Sequence, residues 1–238
     1  MGLNHFIFNG ISSLDYGVYI GGQATFNAPQ RDVSKISIPG RNGDLVRDNG
    51  RFLNIEVTYS VVIMDEFREK ADEIRAWLKA PTSYVRIEDT YNPDYYRLGI
   101  CTSSIDFDTL SFNEAGKTKI TFDCKPQRFL KDGETFVAYS SDDYIFNPTR
   151  FDSKPLIRVH GTGSGTVSIW NYTATLTGIS DYVDIDCDIM DCYKGATNCN
   201  DKVSFNSYGF PTLKSGRSHI AYTGDVTSVE IMSRYWTV

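Results

Sequence analysis

Asp184, Asp186 and Asp188 stand two residues apart in the run DIDCD, the spacing that opens a calcium loop. Such a loop needs glycine at its sixth position and a bidentate glutamate at its twelfth, and these fall on Ile189 and Gly195, so the EF-hand fails. Strand alternation accounts for the run without a metal: Val183, Ile185, Cys187 and Ile189 turn inward and the carboxylates turn to water. Cys187, Cys192 and Cys199 follow with gaps of four and six residues, without a Cys-x-x-Cys pair or a nearby histidine, which argues against structural zinc. Cys101 and Cys124 lie in strand patterns, where a free thiol packs as a small apolar residue.

Other sources of chemistry are equally sparse. The run Gly161-Thr-Gly-Ser-Gly165 lacks a third glycine at the dinucleotide-loop spacing and leads into TVSIW, a strand pattern. No helix N-terminus follows to receive a phosphate, so the run reads as a β-turn. His5, His160 and His219 are far apart in sequence, and none has a nucleophile motif beside it. Glu56, Asp89 and Glu114 could supply a glycosidase pair, but nothing in the sequence brings two of them to the required separation. The expectation is a protein with no catalytic residue, no metal and no cofactor. Trp170, Tyr172 and Tyr193 could stack on sugar faces, although core packing or contact with another protein is the simpler role for such aromatics.

The elements that would position these residues are mainly β. In 238 residues, 41% are hydrophobic, 13% aromatic and 23% charged, a balance that supports two folded domains. Acidic residues outnumber basic ones on both sides of Arg128, with a net charge of −6, which disfavours specific nucleic-acid binding. No apolar run approaches membrane-spanning length, no signal peptide is evident, and five cysteines without one suggest reduced thiols made in a cytosol.

Leu53, Ile55, Val57, Tyr59, Val61 and Ile63 share one face of a strand, and Ile120, Phe122 and Cys124 share another. One amphipathic helix is expected over about residues 65–79. Phe67, Ala71, Ile74 and Leu78 form its stripe, Trp77 widens that stripe, Asp65 caps its start, and Pro81 stops it. The pattern loosens after Pro126, so an N-terminal domain is expected over 1–130, a linker or boundary region over 131–154 and a β-sandwich or jelly roll over 155–238.

Residues 37–54, SIPGRNGDLVRDNGRFLN, carry more glycine and charge than one hairpin requires. Together with FIFNGISSLDYGVYI, ISIPGRNGDL, IRAWL and FDCKP in order, they resemble the distal tail protein (Dit) family of long-tailed phages. The resemblance continues through NPTRFDSKPLIRVHGTGSGTVSIW, YVDIDCDI, GFPTLKSG and Trp236, with Thr149 where the family has glycine after Asn147-Pro148.

The resemblance implies an N-terminal β-sandwich or barrel-like domain that forms a ring, and a peripheral galectin-like sandwich. It implies a hexameric hub at the distal end of a virion tail, synthesised in the host cytoplasm. Its partners would be the tail tube protein, the tape-measure protein, a tail-associated fibre or lysin and a receptor-binding protein, with no membrane insertion. DNA would pass through the ring; the alternative role is carbohydrate-binding adhesion to the host wall.

A ring closes through heterologous contacts, so residues 31–54 are expected to project as an arm onto a neighbouring subunit. Pro39-Gly40 would form a type II corner and Asn42-Gly43 a type I′ corner, with Asp44 beside them. Arg41, Arg47 and Arg51 would meet acidic groups on the neighbour.

Overall fold

The structure, a computed structural model, describes residues 3–22, 27–63, 67–110 and 115–238. Asp65 and Glu114 lie outside them. The chain divides into two units, Met1–Arg128 with Val238, and Phe129–Thr237.

The first unit contains β1 (Phe6–Phe8), β2 (Ile11–Ser12), β3 (Val18–Ile20), β4 (Arg31–Ile36), β5 (Leu45–Phe52) and β6 (Ile55–Ile63). Helix α1 (Phe67–Lys79), β7 (Val85–Asp89), β8 (Tyr95–Ile100), β9 (Asp108–Leu110) and β10 (Ala115–Cys124) follow. A sheet runs in the order β2, β1, β7, β8, β10, β6, β3. Its spine is the antiparallel β6–β10 pair, in register from Ile63 opposite Gly116 to Ile55 opposite Cys124.

The expected alternation holds along β6: Ile55, Val57, Tyr59, Val61 and Ile63 are buried while Glu56 and Ser60 are exposed. Leu53 departs from it and is 38% exposed. It precedes the strand and bonds through its amide to Gln30 O, where β4 and β5 leave the sheet.

Helix α1 buries Ala71, Ile74, Trp77 and Leu78 in the same core as Phe6, Phe8, Ile120 and Phe122. Trp77 stacks on Tyr16 at 4.8 Å and on Phe6 at 5.7 Å, so its role is packing, and each such ring pair adds about 0.5–1.5 kcal/mol beyond area burial. Lys79 fixes the end of the helix by donating to Cys101 O at 3.1 Å and to Ser103 O.

The second unit begins in β11 (Arg128–Leu130). It continues with β12 (Phe136–Tyr139), β13 (Asp143–Asn147), β14 (Leu156–Ile169), β15 (Tyr172–Asp186), β16 (Asp191–Lys194), β17 (Thr197–Asn198), β18 (Val203–Phe205), β19 (Gly216–Met232) and β20 (Trp236–Thr237). Residues 131–154, expected as a linker, include β12 and β13, which pair with the two ends of β19. β13 exposes Tyr144 and Phe146 and buries Ile145 with Asn147, a polarity that hides its inner face from a sequence reading. Asn147 is satisfied there: its amide donates to Phe151 O and Leu213 O, and its oxygen accepts from Thr149 N and Oγ1. Thr149 thus supplies a hydroxyl where a glycine was expected.

Gly161-Thr-Gly-Ser-Gly165 forms no β-turn. It lies inside β14, at register shifts against both β15 and β19. A Cβ on Gly161 would overlap Asp225 O, and one on Gly165 would stand 2.8 Å from Val226 Cγ2. Glycine is required because two backbones converge, and such a bulge bends its strand. Residues from both halves of the long strands, Val167 and Ile220 from one and Val159 and Val229 from the other, meet in one core.

The Asp184–Asp188 run also differs from expectation. Val183 through Cys187 are all buried, so two carboxylates enter the interior, while Ile189 is 62% exposed. Each buried carboxylate has a guanidinium fork: Arg158 donates to Asp184 at 2.7 and 2.8 Å, and Arg234 to Asp186 at 2.7 and 3.0 Å. Bidentate pairing is what makes such burial tolerable.

Candidate functional site: the hairpin arm

Strands β4 and β5 form a two-stranded sheet of their own. Ile36 faces Leu45 and Val33 faces Asp48, with a register shift next to Arg31, which faces Phe52. The extra residues include Gly50, whose φ of 76° and amide bond to Asp48 Oδ1 at 2.9 Å shape the bulge.

At the tip, Arg41 N donates to Ile38 O at 3.2 Å across Pro39-Gly40, and Gly40 has φ 77°, as a type II corner requires. The second corner is not type I′. Gly43 has φ 80°, but Asn42 is not among the residues with positive φ, and a type I′ turn needs both.

Cross-strand polar pairs hold the arm. Arg31 donates to Asp48 at 2.6 Å and lies over the Phe52 ring at 4.5 Å; Arg51 donates to Asp32 at 2.7 Å, and Asn49 to the same carboxylate at 2.9 Å. The Arg51 and Asn49 bonds hold the Asp32 carboxyl below the usual range, and the Gly50 amide and Arg31 do the same for Asp48. Arg51 is therefore occupied within its own hairpin, contrary to the expectation that it reaches a neighbour.

Arg41, Asp44 and Arg47 remain exposed at the distal half, without a side-chain partner among the described residues. Beside them Ile36, Leu45 and Val46 are 48%, 50% and 58% exposed. Ile36 and Leu45, directly opposite each other, put an exposed apolar pair on one face of the hairpin and Val46 lies on the other, so both faces offer apolar surface suited to another protein.

The other candidates do not converge. His5 bonds Leu3 O, His160 meets Glu230 at 3.2 Å, and His219 meets Asp142 at 2.6 Å, three unrelated places. Among the described residues, no group of His, Cys, Asp and Glu is arranged to hold a metal ion. All five cysteines are free and buried, and burial pushes the Cys124 and Cys192 thiols up to about 12.

The aromatic trio is dispersed. Trp170 is 49% exposed at the β14–β15 turn, whereas Tyr172 is buried and bonds Thr212 Oγ1. Tyr193 faces Asp184, about 40 Å of strand away from Tyr172 at ~3.3 Å per residue. Tyr208, which the sequence did not single out, stands edge-on to Tyr172 at 5.9 Å and is exposed.

No family model and no curated protein matches the chain. Solved structures do. The crystal structure of SPP1 Dit (gp 19.1), described as a paradigm of the hub adsorption apparatus of phages infecting Gram-positive hosts, matches with TM-score 0.79 and 12% identity over 100% of both chains. The fold is that of a phage Dit protein. Chains of the phage P2 baseplate in its activated conformation, with Ca and with Sr, match with TM-scores of 0.54 and 0.51, each at 12% identity over 97% of both chains. The likeness to Dit covers both units, including the stretch that was expected to be a linker. Among the described residues, no helix is long and apolar enough to cross a membrane.

Proposed function

We propose that this chain is a structural subunit of a phage tail tip, a hub that assembles into a hexameric ring between the tail tube and a tail-associated fibre or lysin. The observation that carries this reading is the likeness to the SPP1 hub protein over the whole of both chains, which extends to both units. The arm supplies the closing contact: Ile36, Leu45 and Val46 pack on the next subunit, and Arg41 and Arg47 meet its acidic groups. The second unit carries other tail proteins. DNA passes through the ring.

Light scattering and negative-stain imaging of the purified protein test this directly. Rings of uniform size are expected, and a strictly monomeric species at every workable concentration refutes the assignment. Deleting residues 40–50 is expected to leave folded monomers. Intact rings after that deletion would remove the arm from the contact while leaving the hub assignment standing.

A further inference from the structure

In an asparagine followed by glycine, the glycine nitrogen can attack the asparagine side chain with little hindrance, because glycine places no Cβ in the path. The chain holds three such pairs, Asn9-Gly10, Asn42-Gly43 and Asn49-Gly50. The attack requires the glycine nitrogen to swing against the asparagine Cγ. A backbone held by strand pairing, or a carboxamide held by partners, resists that geometry.

Two of the three pairs are held. Asn49 lies within β5, where its Nδ2 donates to Asp32 Oδ1 at 2.9 Å and to Ser34 Oγ at 3.4 Å. The Gly50 amide, whose nitrogen would be the nucleophile, donates to Asp48 Oδ1 at 2.9 Å. Asn9-Gly10 is the loop between β1 and β2, closed by the pairing of Phe8 with Ile11. Its φ values of 52° and 79° are the combination of a type I′ turn, and the Asn9 amide donates to Arg86 O at 3.0 Å. Reaction at Asn9 requires that turn to open.

Asn42-Gly43 has none of these restraints. It lies at the exposed tip of the arm between β4 and β5, beyond the corner that Arg41 N closes on Ile38 O. Among the described residues, neither the Asn42 carboxamide nor the Gly43 amide has a hydrogen-bond partner. No atom stands within 4 Å of a Cβ built on Gly43, and the same holds for Gly10 and Gly50. Space therefore does not separate the three sites; pairing and hydrogen bonding do.

We propose that Asn42 deamidates spontaneously in the folded subunit, ahead of Asn9 and Asn49. The Gly43 nitrogen gives up its proton and bonds to Asn42 Cγ; the Cγ–Nδ2 bond breaks, and the side-chain nitrogen leaves with that proton as ammonia. Water then opens the cyclic imide at either carbonyl, which yields aspartate at this position or isoaspartate. Either product sets a new carboxylate next to Arg41, and isoaspartate also lengthens the chain at the tip by one methylene. The site follows from the fold of the hairpin and does not rest on ring formation.

Peptide mapping by mass spectrometry tests this on the full chain, incubated in dilute, mildly alkaline solution beside the same chain in urea. Methylation by an isoaspartyl methyltransferase counts the isoaspartyl product. In urea the three sites are expected to react at comparable rates. In the folded chain Asn42 is expected to keep its unfolded rate to within ~3-fold, while Asn9 and Asn49 slow by at least ~10-fold. Asn42→Gln, whose longer side chain closes a ring far more slowly, is expected to remove most of the isoaspartyl signal and to leave the rates at Asn9 and Asn49 unchanged. A folded-state rate at Asn42 no faster than at Asn9 or Asn49 overturns the proposal. An isoaspartyl signal that survives Asn42→Gln does the same.

Discussion

Arg51 donates from Nε to Asp32 at 2.7 Å, across the two strands of the arm and within one subunit. This pair separates the arginines of the hairpin by role. Arg31 and Arg51 pair within the arm, and Arg41 and Arg47 are exposed without a side-chain partner among the described residues.

Reversing the two free charges tests that division. Arg41→Glu with Arg47→Glu is expected to weaken assembly by at least ~10-fold while the arm keeps its fold, because charges at an interface rim steer association. Arg51→Glu is expected instead to loosen the arm itself. Light scattering reads the first effect and limited proteolysis between residues 36 and 45 reads the second.

Acid has a defined effect on the same element. The folded-state carboxyls of Asp32 and Asp48 titrate below their unfolded value. Their contribution is therefore complete above about pH 4 and is lost as pH falls through the lower folded values. Hydrogen exchange of the β4 and β5 amides is expected to be protected at pH 5 and to lose that protection near pH 3, ahead of the β6–β10 pair.

In the second unit, Arg158 lies 4.8 Å from the centres of both the Phe136 and Tyr182 rings while it forks onto Asp184, which is 4% exposed. Among the described residues Asp184 has no other side-chain partner. Arg158→Ala leaves a buried carboxylate unpaired and is expected to cost about 3–5 kcal/mol in urea unfolding. Arg158→Lys is expected to restore little of this, because an ammonium offers neither the planar fork nor the same stacking.

The bulge in β14 offers a double-mutant test. A side chain at Gly163, where φ is 124°, would collide with the Asp225 carboxylate, whereas one at Gly161 would collide with backbone. Both alanine substitutions are expected to cost about 1–3 kcal/mol or more. Asp225→Ala is expected to relieve part of the Gly163→Ala penalty and none of the Gly161→Ala penalty.

The contrast between β6 and β14 shows what the sequence made legible. In β6 each inward residue is apolar or aromatic and the outward ones are polar apart from Val62, so period-two alternation identifies strand, face and core together. In β14 three glycines interrupt the same pattern, and they carry no local sign that they accommodate a partner strand 60 residues away rather than a turn. The Asp184–Asp188 run misled for a related reason: whether a carboxylate faces water depends on Arg158 and Arg234, distant in sequence. The arm was legible from its punctuation, but the internal use of Arg51 was not, because register decides which arginine meets which aspartate.

The arm's cross-strand ion pairs are closed before any neighbour is present. Most of the entropy of ordering its backbone is therefore lost when the subunit folds rather than when subunits meet. If the arm closes the proposed ring, it would dock as a formed part, and closure would proceed without a folding step on the arm's side of the contact.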